Sequence, residues 1–328
     1  MKVFVTGATG FIGSRLALRL AGEGLEDHAL YRDTAKTSII SHPNLVWFKG
    51  DILDSDSLAA AVEGCSGIYH TAAFAKVWHK DTSAIYRLNI EGTMNVINAG
   101  LHAGVKRIVC TSTAGVLGPS GPYGVVDENS LQPEFFFTDY EASKSILEKT
   151  LKTIQNTGID IVIVNPTRVY GPGVLSDSNG VTRMMQKYMA GKWHIIPGNG
   201  KSIGNYVYVE DVVNGHLLAM EKGRPGERYV LGGENLTYDE LFRIMAELSG
   251  KKYWMLHLPV PVIEFVAGTM LLMAKVTGIP PLIIPGLVRK YYHNWNVSCA
   301  KATRELNYQP VGFKTGAALT VEWLKTIR

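Results

Sequence analysis

Tyr140-Glu141-Ala142-Ser143-Lys144 sets a phenol and an ammonium one helical turn apart on one face. A phenol titrates at about 10, too high for easy proton exchange at neutral pH, and a neighbouring ammonium favours the phenolate and lowers that value. Tyr140 is therefore expected to be an acid/base and Lys144 its electrostatic partner. The same spacing is common on helix surfaces. Its upstream company is what distinguishes it: Cys110-Thr111-Ser112-Thr113-Ala114-Gly115 puts hydroxyls at the C-terminal end of an apolar run. Parallel sheets bind ligands at that edge, so one of these hydroxyls can hold a substrate oxygen beside Tyr140.

A second constellation opens the chain. Thr6-Gly7-Ala8-Thr9-Gly10-Phe11-Ile12-Gly13 lies between an apolar run and an amphipathic one. Small residues there let backbone approach a pyrophosphate, and a helix N-terminus supplies free N–H groups and a favourable dipole. Gly7, Thr9, Gly10, Phe11, Ile12 and Gly13 are thus expected to bind a dinucleotide. In Leu30-Tyr31-Arg32-Asp33 both charge types follow the second strand. An acid would take the ribose 2′-hydroxyl of NAD and an arginine the 2′-phosphate of NADP. Arg32 comes first, so NADP is expected, with NAD as the alternative, Lys36 assisting, and Asp33 turned outward or capping the next turn. Asp51-Ile52 would suit the adenine edge, a carboxylate acceptor beside an apolar face.

The elements that must position these residues alternate as βαβ units. Strands are predicted over 2–6, 28–31, 46–48, 67–70, 107–111 and 160–164, and helices over 11–21, 82–102 and 140–155. The fold class is α/β: a Rossmann doubly wound parallel sheet with a smaller mixed α/β substrate lobe. Residues 1–166 form the predicted dinucleotide-binding domain. Residues 167–328 form the lobe, with segments near 205–220 returning to the core.

Hydrophobic residues at 46% and charged residues at 19% describe a globular chain and argue against disorder. The formal charge of +4 is scattered, with no basic block, which argues against nucleic-acid binding. Cys65, Cys110 and Cys299 are widely spaced and fit free thiols in a reducing cytosol, and no signal peptide fits ahead of the first strand. A membrane span needs about 20 apolar residues. Between 256 and 288 the run is interrupted by Glu264 and Lys275, and Pro259, Pro261, Pro280, Pro281 and Pro285 are expected to break it. Apolar helices walling a pocket are the favoured reading, with peripheral membrane contact as the alternative.

The sequence resembles the extended short-chain dehydrogenase/reductases along nearly its whole length. The resemblance rests on Thr6 to Gly13, Asp51-Ile52, His70-Thr71-Ala72-Ala73, Asn89-Ile90-Glu91-Gly92-Thr93, Thr111-Ser112-Thr113, Tyr140 to Lys144, and Asn165 to Gly173. It implies that Thr113 takes the place of a catalytic serine, with Ser112 in reserve, and that Asn89 braces a water near Lys144. It further implies that Thr71, Ala72 and Ala73 line the cofactor and that Pro166 and Val169 flank the nicotinamide. Thr111 to Gly115, Tyr31-Arg32-Asp33, and Glu227 to Asn235 are similar to dihydroflavonol-4-reductase-like proteins, some of whose relatives are labelled epimerases. In nucleotide-sugar epimerases and dehydratases an Arg-Asp-Phe helps hold the sugar nucleotide. Here Gly204-Asn205-Tyr206 stands in that place, which favours a smaller or more apolar carbonyl. The resemblance also implies a homodimer packed through helices near 82–102 and 140–155.

Other residues invite weaker readings. The histidines form no HxxxH or HExxH pair, so no metal is expected. Trp78, His79 and Lys80 form a loop that either edges the substrate pocket or is plain surface. At least one of Phe135, Phe136 and Phe137 is expected to line an apolar site, and Asp211 to cap a helix beginning at Val212. The expected activity is reduction of a carbonyl, or oxidation of the matching alcohol. The alternatives are a nucleotide-sugar epimerase or dehydratase and a non-catalytic scaffold.

Overall fold

A computed structural model describes residues 1–327 apart from 77, 123, 156, 157 and 177. The first half runs β1 (Lys2–Thr6), α1 (Phe11–Gly22), β2 (Glu26–Tyr31), β3 (Leu45–Lys49), α2 (Ala59–Val62), β4 (Gly67–His70), α3 (Ser83–Tyr86), α4 (Gly92–His102), β5 (Arg107–Thr111) and α5 (Asp139–Thr153). Then come β6 (Asp160–Pro166), β7 (Arg168–Tyr170), α6 (Gly180–Met189), β8 (Ile195–Pro197), β9 (Ile203–Tyr208), α7 (Val209–Lys222) and β10 (Arg228–Leu231). The chain ends with β11 (Glu234–Thr237), α8 (Tyr238–Ser249), β12 (Leu256–Leu258), α9 (Val260–Thr277), α10 (Pro285–Tyr292), α11 (Ala300–Leu306) and α12 (Phe313–Thr326).

Seven parallel strands form the main sheet in the order β3-β2-β1-β4-β5-β6-β10. Strand order reverses between β1 and β4, and a crevice opens at such a point outside the carboxyl ends of the strands. The strands read as continuous apolar runs because both faces are covered. Phe4, Ile68, Ile108, Ile161 and Ile163 pack with Val96, Ile97, Leu147 and Leu151 of α4 and α5. Val3, Val5, Val109, Val162 and Val164 pack on the other face with Leu16 and Leu20 of α1 and Val212 and Val213 of α7. Each such side chain contributes about 1.5–3 kcal/mol on burial. A smaller sheet, β11-β9-β7, and the pair β12-β8 lie outside the main one.

Several expectations are corrected. The helix foreseen over 82–102 is interrupted by a π-helical turn at Arg87–Glu91. Asp211 lies inside the first turn of α7 rather than before it, and its carboxylate accepts from Val311 N at 3.0 Å. The 256–288 run is divided as expected, with Pro280 and Pro281 between α9 and α10, but α9 itself is left whole. Pro259 and Pro261 mark its start and Pro285 begins α10, positions where a missing N–H is harmless. Only Ala267 and Ala274 of α9 are fully buried, and Phe265, Leu272, Met273 and Val276 are exposed. Among the described residues α9 is the one helix long and apolar enough to cross a membrane.

Buried charge clamps α5. Glu148 accepts from Asn165 Nδ2 at 2.6 Å and pairs with Arg228 Nη1 at 3.1 Å. The same guanidinium donates through Nε to the Glu128 carbonyl at 3.1 Å. At the helix N-terminus Thr138 Oγ1 accepts from Glu141 N, and the buried Glu141 carboxylate pairs with Lys290 Nζ of α10 at 2.5 Å. Removing one partner of a buried pair leaves the other charge uncompensated, at about 3–5 kcal/mol. Lys290→Met should therefore destabilise the chain by that much in urea unfolding, and adding Glu141→Gln should recover most of it. Additive losses in the double variant would refute the pairing.

Asp27 on β2 is buried with neither carboxylate oxygen hydrogen-bonded, and burial pushes its carboxyl up to about 8. Between about pH 4 and 8 the folded chain keeps a proton that the unfolded chain releases. Stability should fall as pH rises through that window and level off above it, by at most about 1.4 kcal/mol per pH unit from this group. Asp27→Asn should remove this component. Urea midpoints at pH 5 and pH 8 check it: the variant's advantage must grow toward pH 8.

Candidate active site

The turn after β1 is built for close approach. Gly7 has φ +73°, and a Cβ there would meet Ala72 N and Thr71 Oγ1 at 2.7 Å. A Cβ on Gly13 would strike the Gly7 carbonyl oxygen. Gly10 precedes α1 with extended backbone, no side chain caps the helix, and its first turn holds no acid. The free N–H groups and the positive end of the helix dipole are therefore available to an anion.

A cavity of about 390 Å³ runs from this turn along the carboxyl edge of the sheet. Gly7, Thr9, Gly10, Phe11, Ile12 and Gly13 line one end. Arg32 and Ile52 form its side after β2 and β3, and Thr71, Ala72 and Ala73 its floor after β4. Thr113, Tyr140, Pro166 and Val169 close the far end. The other expected residues support this wall from outside it. Asp51 accepts from Leu53 N at 3.0 Å and lies 3.5 Å from Arg32 Nη1, so only its neighbour Ile52 faces the cavity. Asp33 accepts from Ala35 N at 3.1 Å and caps the following turn. A glycine cradle that any Cβ would fill, an uncapped helix start and an exposed guanidinium together fit a phosphate-bearing dinucleotide.

At the far end the hydroxyls are disposed differently. Thr111 Oγ1 turns from the cavity to His216 Nε2 at 2.8 Å. Thr113 Oγ1 accepts from Gly115 N at 3.1 Å, which leaves its proton to give. Ser112 Oγ is buried without a partner, and Ser112 lines the same wall. Lys144 is buried, its Nζ donates to the Thr111 carbonyl at 2.8 Å, and burial lowers its pKa to about 8. Burial and then the Glu141 carboxylate push the Tyr140 phenol above its ordinary value. The expected lowering by Lys144 is not seen: its Nζ is turned to the Thr111 carbonyl, and burial and Glu141 set the direction of the phenol's shift.

Asn89 lies within the π-helical turn, where its Oδ1 accepts from Phe74 N at 2.8 Å and its Nδ2 donates to Ser143 Oγ at 2.9 Å. It joins the loop after β4 to the helix carrying Tyr140. Phe137 packs on His293 and Trp295, and Phe135 is 66% exposed. None of the three phenylalanines lines the cavity, nor does the Trp78–Lys80 loop. Sequence reasoning assigned no role to Arg168, or to Leu287, Lys290 and Tyr291 of α10, all of which reach the wall. The one available signal was the amphipathic pattern of 285–292 after Pro285.

Residues 3–232 match the NAD dependent epimerase/dehydratase family. A putative dihydroflavonol 4-reductase of Synechocystis sp. (strain ATCC 27184 / PCC 6803 / Kazusa) is 29% identical, over 98% of this chain and 94% of that protein. The crystal structure of gox2253 is similar with a TM-score of 0.84 and 31% identity, over 99% of this chain and 98% of that one. The dTDP-glucose 4,6-dehydratase DesIV of Streptomyces venezuelae, solved with NAD and TYD bound, gives a TM-score of 0.79 at 25% identity, over 99% and 97% of the two chains. The cradle, the hydroxyl-lined wall and these matches agree: the chain belongs to the NAD dependent epimerase/dehydratase family and is an NAD(P)-dependent enzyme of the extended short-chain dehydrogenase/reductase type.

Proposed function

We propose that this chain is an NADP(H)-dependent carbonyl reductase whose reverse reaction oxidises a secondary alcohol. The observation that carries the reading is the Tyr140 phenol on the same cavity wall as Thr113 and the unpartnered hydroxyl of Ser112. The bound nicotinamide would supply the hydride. Tyr140 donates the proton to the substrate oxygen, and Thr113 or Ser112 hydrogen-bonds that oxygen and fixes its direction. Lys144 holds the Thr111 carbonyl and so the strand end from which both hydroxyls project. Asn89 sets the spacing between the β4 loop and the catalytic helix. The dihydroflavonol reductase relative supports the reductase reading, and Gly204, in place of the arginine of sugar-nucleotide enzymes, points away from that substrate class.

The likeness to DesIV over nearly the whole chain favours a second reading, a nucleotide-sugar epimerase or dehydratase. The two differ in stoichiometry: a reductase consumes one NADPH per carbonyl reduced, and an epimerase shows no net consumption.

Tyr140→Phe removes the proton but keeps the ring. Turnover should fall by about 10²–10⁴-fold with NADPH affinity nearly intact. In the wild type, reduction should be nearly flat from about pH 6 to 8, because the acid form dominates there. Alcohol oxidation needs the phenolate and should rise with pH over the same range. Near wild-type kcat in the variant would remove Tyr140 from the mechanism.

Arg32 is a planar, permanently charged fork, 63% exposed and only 3.5 Å from one carboxylate oxygen, so it is available to a 2′-phosphate. Arg32→Ala should weaken NADPH by about 1.5–3 kcal/mol, the range for a hydrogen bond to a charged group, and barely change NADH. Fluorescence titration of both cofactors checks this. Equal losses, or a wild-type preference for NADH, would overturn the role of Arg32 and hand specificity to Asp33.

A further inference from the structure

Arg168 is the cation that the catalytic scheme leaves unused. It projects from β7 into the cavity and into a smaller adjoining one that also reaches Asn205, Trp295 and Val297. Its guanidinium lies over three tyrosine rings, at 4.9 Å from the centroid of Tyr291, 5.5 Å from Tyr206 and 6.0 Å from Tyr238. Nη1 donates to Tyr206 OH at 3.2 Å and to Tyr238 OH at 3.4 Å. Nη2 is buried and has no hydrogen-bond partner. Among the described residues no carboxylate pairs with this guanidinium.

That arrangement is anomalous for a structural arginine. A buried guanidinium cannot shed its proton, and burying it without an anion is unfavourable. Phenol oxygens and ring faces satisfy part of it, yet they supply no counter-charge. The neighbouring cation in the same wall is handled in the ordinary way, since Lys290 pairs with Glu141. Space has also been cleared: a Cβ on residue 204 would collide with Arg168 Nη1, so Gly204 is what allows the guanidinium to lie there.

We propose that Arg168 reads an anionic group on the substrate, a carboxylate or a similarly charged oxyacid, that completes the bonding of Nη2 when the carbonyl faces Tyr140. This deepens the carbonyl-reductase reading and rests on it for the word substrate. It departs from the apolar substrate expected from the sequence, because the tyrosines supply apolar ring faces while the guanidinium selects the charge.

The test has two arms. In the first, 3- and 4-carboxybenzaldehyde are compared with their methyl esters by NADPH consumption, in the wild type, Arg168→Met and Arg168→Lys. The acid should be preferred in the wild type, and the acid-to-ester ratio of kcat/KM should drop about 10- to 100-fold in Arg168→Met, through KM, with partial rescue by lysine. In the second, benzoate is titrated calorimetrically into the NADPH complex, which needs no turnover. Benzoate affinity should fall by a similar factor in Arg168→Met. Benzoate binding that depends on Arg168 without turnover of any aldehyde would keep the anion subsite and end the reductase reading. Turnover with no acid preference would do the reverse. A parallel loss for acid and ester makes Arg168 a purely structural hub of the three tyrosines, and a loss of NADPH affinity assigns it to the cofactor; either result overturns the proposal.

Discussion

The site is arranged around the burial of an ammonium. Taking Lys144 out of water is unfavourable by several kcal/mol. A hydrogen bond to the Thr111 carbonyl offsets part of this, and the fall of its pKa to about 8 relieves more. Burial first, and the Lys144 charge second, bring His70 down to about 3, so its ring is neutral. The tautomer then follows from its neighbours. Thr93 Oγ1 donates to the Asn89 carbonyl at 2.7 Å, so it must accept from His70 Nε2. Thr6 Oγ1 accepts from Ala72 N and donates to His70 Nδ1 at 2.7 Å. One chain of hydrogen bonds thus leads from Ser143 and Asn89, on the Tyr140 side, to the residue before Gly7.

A second tier fixes the helix that carries Tyr140 and Lys144. Glu141 and Glu148 lie one and eight residues after Tyr140, and both are buried. Each is met by a cation from the second half of the chain, Lys290 from α10 and Arg228 from β10. Residues 1–166 alone would leave both carboxylates without a cation, Glu148 keeping only its bond from Asn165. The C-terminal segments therefore do more than wall a substrate cavity: they supply the charges without which α5 could not bury its acidic residues.

Legibility in the sequence followed the physics of each feature. The strands and α1 were readable because fully buried parallel strands are short apolar runs and their helices keep a 3.6-residue period. The glycine turn and the Tyr140–Lys144 spacing were readable because local geometry dictates them. The π-helical turn at Asn89 was not, since the tertiary bonds to Phe74 and Ser143 select it over a helix that the local pattern allows equally well. β10 was hidden because Arg228 opens it and leaves an apolar run of only three residues, and the partners that let an arginine be buried there lie 80 and 100 residues away. The direction of the Tyr140 shift was hidden for a related reason: spacing along a helix reveals the ammonium but not that its Nζ is bonded to the Thr111 carbonyl, nor the burial of the phenol.

Among the described residues three cations line this cavity and a fourth, Lys144, lies behind its wall, and their counter-charges sort them. Lys144 leans on a carbonyl, and Lys290 has a buried carboxylate. Arg32, at the solvent edge, is loosely associated with Asp51, a contact that water and salt weaken and that a phosphate can displace. Arg168 has aromatic faces and phenol oxygens and, among the described residues, no acid. Attraction to an anion is strongest where water is excluded and no protein carboxylate already answers the charge. By that criterion the cavity has two weakly answered positive charges, Arg32 at the solvent edge and Arg168 on the lining it shares with Tyr140. Phosphates of a dinucleotide suit the first, since they can displace a loose, solvent-exposed carboxylate; the second is left to whatever anion enters the cavity that Arg168 and Tyr140 both line.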